Sequence, residues 1–397
     1  MTVRISTDAV AGGNRMQLAL SEEDQQFREE MRSYFTTKVS EEIRTTVAEG
    51  RELTREQIVQ SMQELNAGGL AVPHWPEEWG GRGWSELKRH IWHEEMQAAC
   101  VPVPLAFNAS MIGPVIAQFG TDEQKQEFLP KTANLDIWWS QGFSEPDAGS
   151  DLASLRTTAV LDGDDWVVNG QKTWTTLGQY GDWIFTLVRT DPEVKKQAGI
   201  SMLLIDMKSE GLEVRPIELI DGGHEVNEVW FTDVRVPAKN MVGEVNSGWT
   251  QAKFLLGNER VGVAPVGATK RVLARAKEVA AATIAEDPLF RARIVELENE
   301  LLALELTALR VAAHSAGGEP HPASSVLKLK GTELQQAVSE LVVDLGGPAT
   351  LASGEGDATL AWYRRSTPTY LNLRKASIYG GSNEIQRQII SRGILGL

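Results

Sequence analysis

The chain has 397 residues, which at about 150 residues per domain gives two or three domains. Hydrophobic residues make up 42% and charged residues 23%, a globular balance that argues against intrinsic disorder. Its 54 acidic residues outnumber 39 lysines and arginines, a net charge of −15 that repels phosphate backbones and anionic lipid, so neither nucleic acid nor a membrane surface is an expected partner.

From about Leu18 to Leu135 the periodicity is helical. Ser21 followed by Asp24 resembles a capping box, and Phe27, Met31 and Phe35 recur every four residues behind it. Residues Asp122 to Phe128 read as a short helix, with Thr121 and Gln124 placed as a second box and Pro130 ending it. Between these helices the run from His74 to Trp84 is rich in tryptophan and glycine and reads as an ordered loop packing large aromatics. From about Ile137 to Val245 the period falls to two. Val167-Val168, Trp183 to Phe185, Met202 to Ile205 and Val229 to Phe231 are strand-like runs, with turn chemistry at Asp162 to Asp165 and at Asn169-Gly170. This reads as an antiparallel β domain of about a hundred residues. Helical patterning then returns. Asp287-Pro288 starts a long helix whose apolar stripe is Ile294, Leu297, Leu301, Leu304 and Ala308, and another runs through Leu334, Val338 and Leu341 to stop at Gly346-Gly347-Pro348. The expected fold is α+β: an N-terminal α-helical domain over 1–136, a middle antiparallel β domain over 137–245 and a C-terminal helical bundle over 246–397.

One cysteine, Cys100, cannot form an internal disulfide, and the polar residues Met1 to Asp8 lack the apolar stretch of a signal peptide. A cytoplasmic location is expected. No apolar run approaches the roughly 20 residues of a membrane span. There is no phosphate-binding glycine–lysine loop, no zinc pattern and no nucleophile elbow. His90 and His93 stand three apart but lack a third ligand, which reads as a surface pair, and no metal site is expected.

Three stretches remain: Gly142-Phe-Ser-Glu-Pro-Asp-Ala-Gly-Ser-Asp151, Asn169-Gly-Gln-Lys-Thr-Trp-Thr-Thr176, and Ile378-Tyr-Gly-Gly-Ser-Asn-Glu-Ile-Gln-Arg387. Each alone reads as a turn or a helix start. In this order, inside an α–β–α chain, they resemble the acyl-CoA dehydrogenase family over nearly the whole length from about Leu20. The resemblance implies FAD, an acyl-CoA thioester substrate, and removal of a Cα proton and a Cβ hydride to give a trans-2-enoyl-CoA. Such chemistry needs a base, an electron sink and donors aimed at the thioester oxygen.

Carried over by position, Gln141, Phe143, Ser144, Gly149 and Ser150 line the flavin or the CoA phosphate region. Trp174, Thr175 and Thr176 lie behind the flavin ring, Trp174 packing on it and Thr176 bonding near its hydride-accepting nitrogen. Ser382 and Glu384 match later flavin contacts, although Glu384 stands where glutamine is frequent and a carboxylate near pyrophosphate is electrostatically awkward. Short- and medium-chain members keep a catalytic glutamate after the tyrosine of the third stretch, where this chain has Gly380 after Tyr379. Glu259, in Asn258-Glu259-Arg260, matches the base position of the isovaleryl- and long-chain relatives, which also have a small residue in the later stretch. Glu259 is therefore the expected base. The Gly380 backbone N–H is expected to donate to the thioester oxygen, with Arg260, Gly381 and Ser150 on the substrate side.

Two family features are absent. No Arg-x-x-Phe-Gly stretch follows the base helix, where the chain reads from Ala282 to Ala292, and Val343 replaces a glutamine before the Gly346-Gly347 pair. Both serve a neighbouring subunit's FAD in homotetramers. The pattern resembles large subunits of two-component types, such as pimeloyl-CoA or steroid side-chain dehydrogenases, and implies a second, shorter dehydrogenase-like subunit in an α2β2 assembly. Electron-transferring flavoprotein is the expected acceptor. A same-fold oxidase or flavin monooxygenase, and a non-catalytic subunit of a heteromer, are the alternatives.

Overall fold

The computed structural model describes residues 20–259, 265–283, 287–314, 323–351, 363 and 365–397. The N-terminal part is built from α1 (Glu22–Thr37), α2 (Glu41–Ala48), α3 (Arg55–Ala67), α4 (Glu86–Ala98), α5 (Gly113–Phe119) and α6 (Asp122–Ala133). Ser21 caps α1 by accepting the Asp24 N–H at 3.1 Å, but Asp24 takes the Ser21 hydroxyl proton instead of reaching the cap's backbone, so only half of the box forms. Thr121 and Gln124 form a full box on α6. Pro130 does not end that helix. It lies inside, because burial of Phe128, Leu129, Thr132 and Ala133 on one face outweighs the single hydrogen bond that the missing N–H costs.

Ahead of α5, Phe107–Ile112 winds as a π-helix. This register frees the Ala109 carbonyl, which accepts from the Trp75 indole N–H at 2.6 Å and from His74 Nε2 at 2.8 Å. The tryptophan-rich loop is thus an ordered packing unit, with Trp75 buried and Trp84 edge-on to Phe27 at 4.9 Å. Burial pushes the His74 imidazole down to about 4, so it stays neutral. His90 and His93 are not a surface pair: α4 turns them, half-buried, toward α8 (Val266–Thr283) and α9 (Pro288–His314). Their spacing suits one helix face, and here that face is the packed one.

The middle part is one seven-stranded sheet: β1 (Trp139–Gly142), β2 (Thr158–Asp162), β3 (Asp165–Thr176), β4 (Trp183–Arg189), β5 (Ile200–Asp206), β6 (Leu212–Ile217) and β7 (Val226–Pro237). The strand order is β1-β4-β2-β3-β7-β6, with β5 on the other edge of β4. Pairing is antiparallel except that β4 runs parallel to β1 and briefly to β2. Strands β4 and β5 read as continuous apolar runs because both faces are covered: Phe185, Leu187, Met202 and Leu204 meet the N-terminal helices, whereas Ile184, Val188, Leu203 and Ile205 meet the core under β3 and β7. Asp162 to Asp165 makes the expected hairpin turn, with Gly163 at φ +64°. Asn169-Gly170 does not turn. It continues β3 opposite a bulge in β7, where two steps on β3 match three on β7 and the Asn169 side chain exchanges two hydrogen bonds with Asp233, itself at φ +50°.

Helix α7 (Gly248–Glu259) follows and packs with the N-terminal helices, burying Ala252 and Leu255 in their core. Helices α8, α9 and α10 (Ser324–Gly346) bury a separate core. Asp287 caps α9 through the N–H groups of Leu289 and Phe290, and the expected stripe from Ile294 to Leu304 faces inward. The chain closes with α11 (Ser366–Asn372) and α12 (Asn383–Gly393). Among the described residues no helix is long and apolar enough to cross a membrane.

Candidate active site

The far end of β3 departs from a regular ladder. Lys172 faces Val229 and Thr175 faces Asn227, so three steps on β3 match two on β7 and one residue is extra. The extra step falls at Trp174, whose φ is +60°. A left-handed tryptophan costs on the order of 1–2 kcal/mol and persists only where its surroundings enforce it. Here they do. The fully buried Asn227 amide donates to the Thr175 carbonyl at 3.1 Å and to Gln179 at 2.7 Å, and its oxygen meets His224 Nε2 at 2.9 Å. Leu177, also left-handed at φ +52°, donates to the Glu225 carbonyl at 2.7 Å. The bulge holds the Trp174 side chain 58% exposed and turns Thr175 inward, its buried hydroxyl left without a partner. Thr176, half-buried, ends the strand.

The first stretch lies directly against this bulge. Gln141 is half-buried on β1, and Phe143 is buried edge-on to Phe185 at 5.8 Å. The Ser144 carbonyl accepts the Thr173 N–H at 2.9 Å, which joins the two stretches. After a tight turn at Glu145 to Ala148, Gly149 and Ser150 emerge into solvent. A Cβ placed on Gly149 would meet nothing within 4 Å, so the chain's own packing does not demand glycine there. Beneath the loop, buried Lys172 donates to Glu145 at 2.7 Å and to the Phe143 carbonyl at 3.2 Å. Burial pushes the Lys172 ammonium down to about 8. Burial would raise the Glu145 carboxyl, but Lys172 and the N–H groups of Thr157 and Arg156 hold it below the usual carboxylate range. Both groups are therefore charged at neutral pH.

The third stretch reaches the same region from the C-terminal side. Gly380 and Gly381 have φ of +62° and +82°, a turn that favours glycine, and the Gln386 amide donates to the Gly381 carbonyl at 3.1 Å. Ser382 caps α12. Glu384, in the first turn, is exposed, and bonds to its own backbone N–H and to Ser382 hold its carboxyl below the usual range. A carboxylate there favours the helix N-terminus, which accounts for it without any ligand. Buried Lys328 of α10 anchors the stretch through the Ala376 carbonyl and the Asn383 side chain. Glu225 receives Lys375 and the Asn372 amide, and its own carbonyl receives Leu177, so the residue after β3 and the segment just ahead of the third stretch share one partner. Glu259 closes α7; its side chain and all of Arg260 lie outside the described residues.

The structure thus joins the first and second stretches directly, and through Glu225 ties the segment that leads into the third stretch to the end of the second. Sequence reading missed Glu145, Lys172, Glu225 and Asn227. The first two stretches each contain one of these buried charges, yet nothing in a linear pattern pairs residues 145 and 172. An exposed ring on an enforced bulge, a buried hydroxyl without a partner and an open glycine turn form a seat that fits a flat heteroaromatic ring with a phosphate arm.

Comparison with known proteins identifies the class and the family. Residues 21–136, 140–234 and 246–395 match the N-terminal, middle and C-terminal domains of acyl-CoA dehydrogenase. The chain belongs to the acyl-CoA dehydrogenase family, and the family implies a flavin cofactor. It is 42% identical over 342 residues to acyl-CoA dehydrogenase IpdE1 of Mycobacterium tuberculosis, covering 84% of this chain and 86% of that protein. It is 35% identical to acyl-CoA dehydrogenase FadE26 of the same organism, over 96% and 99% of the two chains. Among solved structures it resembles a chain of the ChsE4–ChsE5 complex from Mycobacterium tuberculosis (TM-score 0.82, 35% identity, covering 96% and 99%). It also resembles a chain of the Tcur3481–Tcur3483 steroid ACAD (TM-score 0.86, 30% identity, covering 96% and 99%).

Proposed function

We infer that the chain catalyses FAD-dependent α,β-dehydrogenation of an acyl-CoA to a trans-2-enoyl-CoA. The observation that carries this reading is Trp174, held exposed and left-handed at the seam of the first two stretches. FAD, when bound, supplies the hydride acceptor. The residues that would hold it are Gln141, Phe143, Ser144, Gly149 and Ser150 on one side and Trp174, Thr175 and Thr176 on the other, with Ser382 and Glu384 at the start of α12. Glu259 takes the Cα proton at its carboxylate. The Gly380 N–H donates to the thioester oxygen, a contribution of about 3 kcal/mol for a donor of this kind. Arg260, Gly381 and Ser150 orient the substrate.

A glycine at 380 leaves room for bulk, and kinship with a steroid ACAD supports a steroid-derived acyl group. Kinship with the ChsE4–ChsE5 complex, together with Val343 and the absent Arg-x-x-Phe-Gly stretch, supports an α2β2 assembly with a shorter dehydrogenase-like subunit. Electron-transferring flavoprotein is the proposed acceptor. The test is anaerobic mixing of the FAD-loaded protein with straight, branched and steroid-derived acyl-CoA thioesters. Bleaching of the flavin by a bulky thioester supports the reading; no bleaching by any of them overturns it.

A further inference from the structure

Neither the motifs nor the proposed chemistry makes use of the Glu145–Lys172 ion pair. Lys172 is fully buried, the Glu145 side chain is 6% exposed, and Nζ stands 2.7 Å from the carboxylate. Both carboxylate oxygens are engaged: Oε1 also accepts the Thr157 N–H at 2.9 Å and Oε2 the Arg156 N–H at 2.6 Å. Lys172 spends a second N–H on the Phe143 carbonyl. Arg189, whose charge also acts on Lys172, is occupied by the carbonyls of Ala153 and Leu155. Buried pairs of this kind seldom stabilise a fold more than apolar side chains of the same volume would. Stability is therefore a poor reason for this one.

Its position supplies a better one. Glu145 directly follows Ser144, Lys172 lies two residues before Trp174, and between them Thr173 donates to the Ser144 carbonyl at 2.9 Å. Hydrogen bonds from residues 172 and 173 thus grip three consecutive residues of the loop, Phe143, Ser144 and Glu145. Among the described residues these are the hydrogen bonds that join the strand bulge directly to the loop that would face the same ligand.

We propose that the Glu145–Lys172 pair is a positioning clamp that fixes the Ser144 loop against the Trp174 bulge and so sets the seat of the flavin ring. The proposal rests on the flavin reading above. Because the charges cancel, removing both together spares the fold while releasing the loop.

The test uses the full-length protein, with any subunit that co-purifies, titrated with FAD while affinity and the fluorescence of bound flavin are read. In the neutral double variant Glu145→Gln with Lys172→Met, the thermal midpoint should stay within a few degrees of wild type. FAD affinity should fall at least tenfold, and bound FAD should fluoresce more strongly as Trp174 no longer lies over its ring. Wild-type affinity and fluorescence in that variant would overturn the clamp and leave the flavin reading standing. If the double variant does not fold, Glu145→Gln alone carries the test: a loss of at least threefold supports the clamp and wild-type affinity overturns it. A wild-type protein that binds no FAD would overturn the functional reading and the clamp with it.

Discussion

The two ends of strand β3 follow different rules. From Asp165 to Val168 the ladder with β7 is regular, Trp166 and Val168 point into the core, and charge stays at the surface, where Arg235 pairs with Asp162 and Asp165. From Asn169 to Thr176 the register shifts twice, once at a bulge in β7 opposite Asn169 and once at a bulge in β3 itself, and the strand carries a fully buried lysine and a tryptophan in the left-handed region. Both ends belong to one sheet and share one partner strand. The difference shows where this chain departs from the cheapest way to build a strand, and that place coincides with the candidate site.

Breaking the buried pair on one side should have the largest effect on stability. Lys172→Met leaves the Glu145 carboxylate buried beside backbone N–H groups without its cation, and a loss of about 3–5 kcal/mol is expected, read by chemical denaturation. A loss under about 1 kcal/mol would mean that the pair is not held as described. Acid should act on the N-terminal helices and leave the clamp for later. His74 and His93 are held neutral by burial, each pushed down to about 4 from an ordinary 6.5. The unfolded chain takes up those protons first, so the stability they contribute is complete above about pH 6.5 and is lost as pH falls toward 4. Denaturation midpoints measured across that window should decline, and the decline should be smaller in His74→Gln, whose side chain cannot titrate.

A smaller effect distinguishes strain from packing. Trp174→Gly should stabilise the flavin-free protein by about 1 kcal/mol, because glycine adopts the left-handed backbone freely and the exposed ring contributes little burial. The same substitution should weaken FAD binding. A stability loss instead would show that Trp174 packs within the chain itself. At the regular end, Arg235→Ala should leave both the thermal midpoint and FAD binding unchanged, since an exposed ion pair contributes little.

Much of this contrast was legible in the sequence. Capping at Thr121 and Asp287, the stripe of α9 and the switch to period two follow from local chemistry, so helices, sheet and bundle could be placed in order. The motif positions Ser144, Trp174 and Gly380 were legible through resemblance. Asn169-Gly170 was misread as a turn because the same residues suit a turn and an irregular stretch of ladder, and only cross-strand pairing with Asp233, at the bulge of β7, separates the two. Pro130 was misread because side-chain burial, invisible in a linear pattern, overrode a local stop signal. Glu145 with Lys172, and Glu225 with Lys375, were illegible for the same reason: the partners are far apart in the chain and meet only once the sheet has formed.

The proposed reaction turns on proton abstraction by Glu259, which single-turnover flavin reduction by acyl-CoA under anaerobic conditions reads out. Glu259→Gln keeps the volume and hydrogen bonding of the side chain but cannot accept the proton. This variant should retain FAD while its reduction rate falls by at least roughly 100-fold, the lower range for loss of a general base. Near-normal flavin reduction in Glu259→Gln would contradict it.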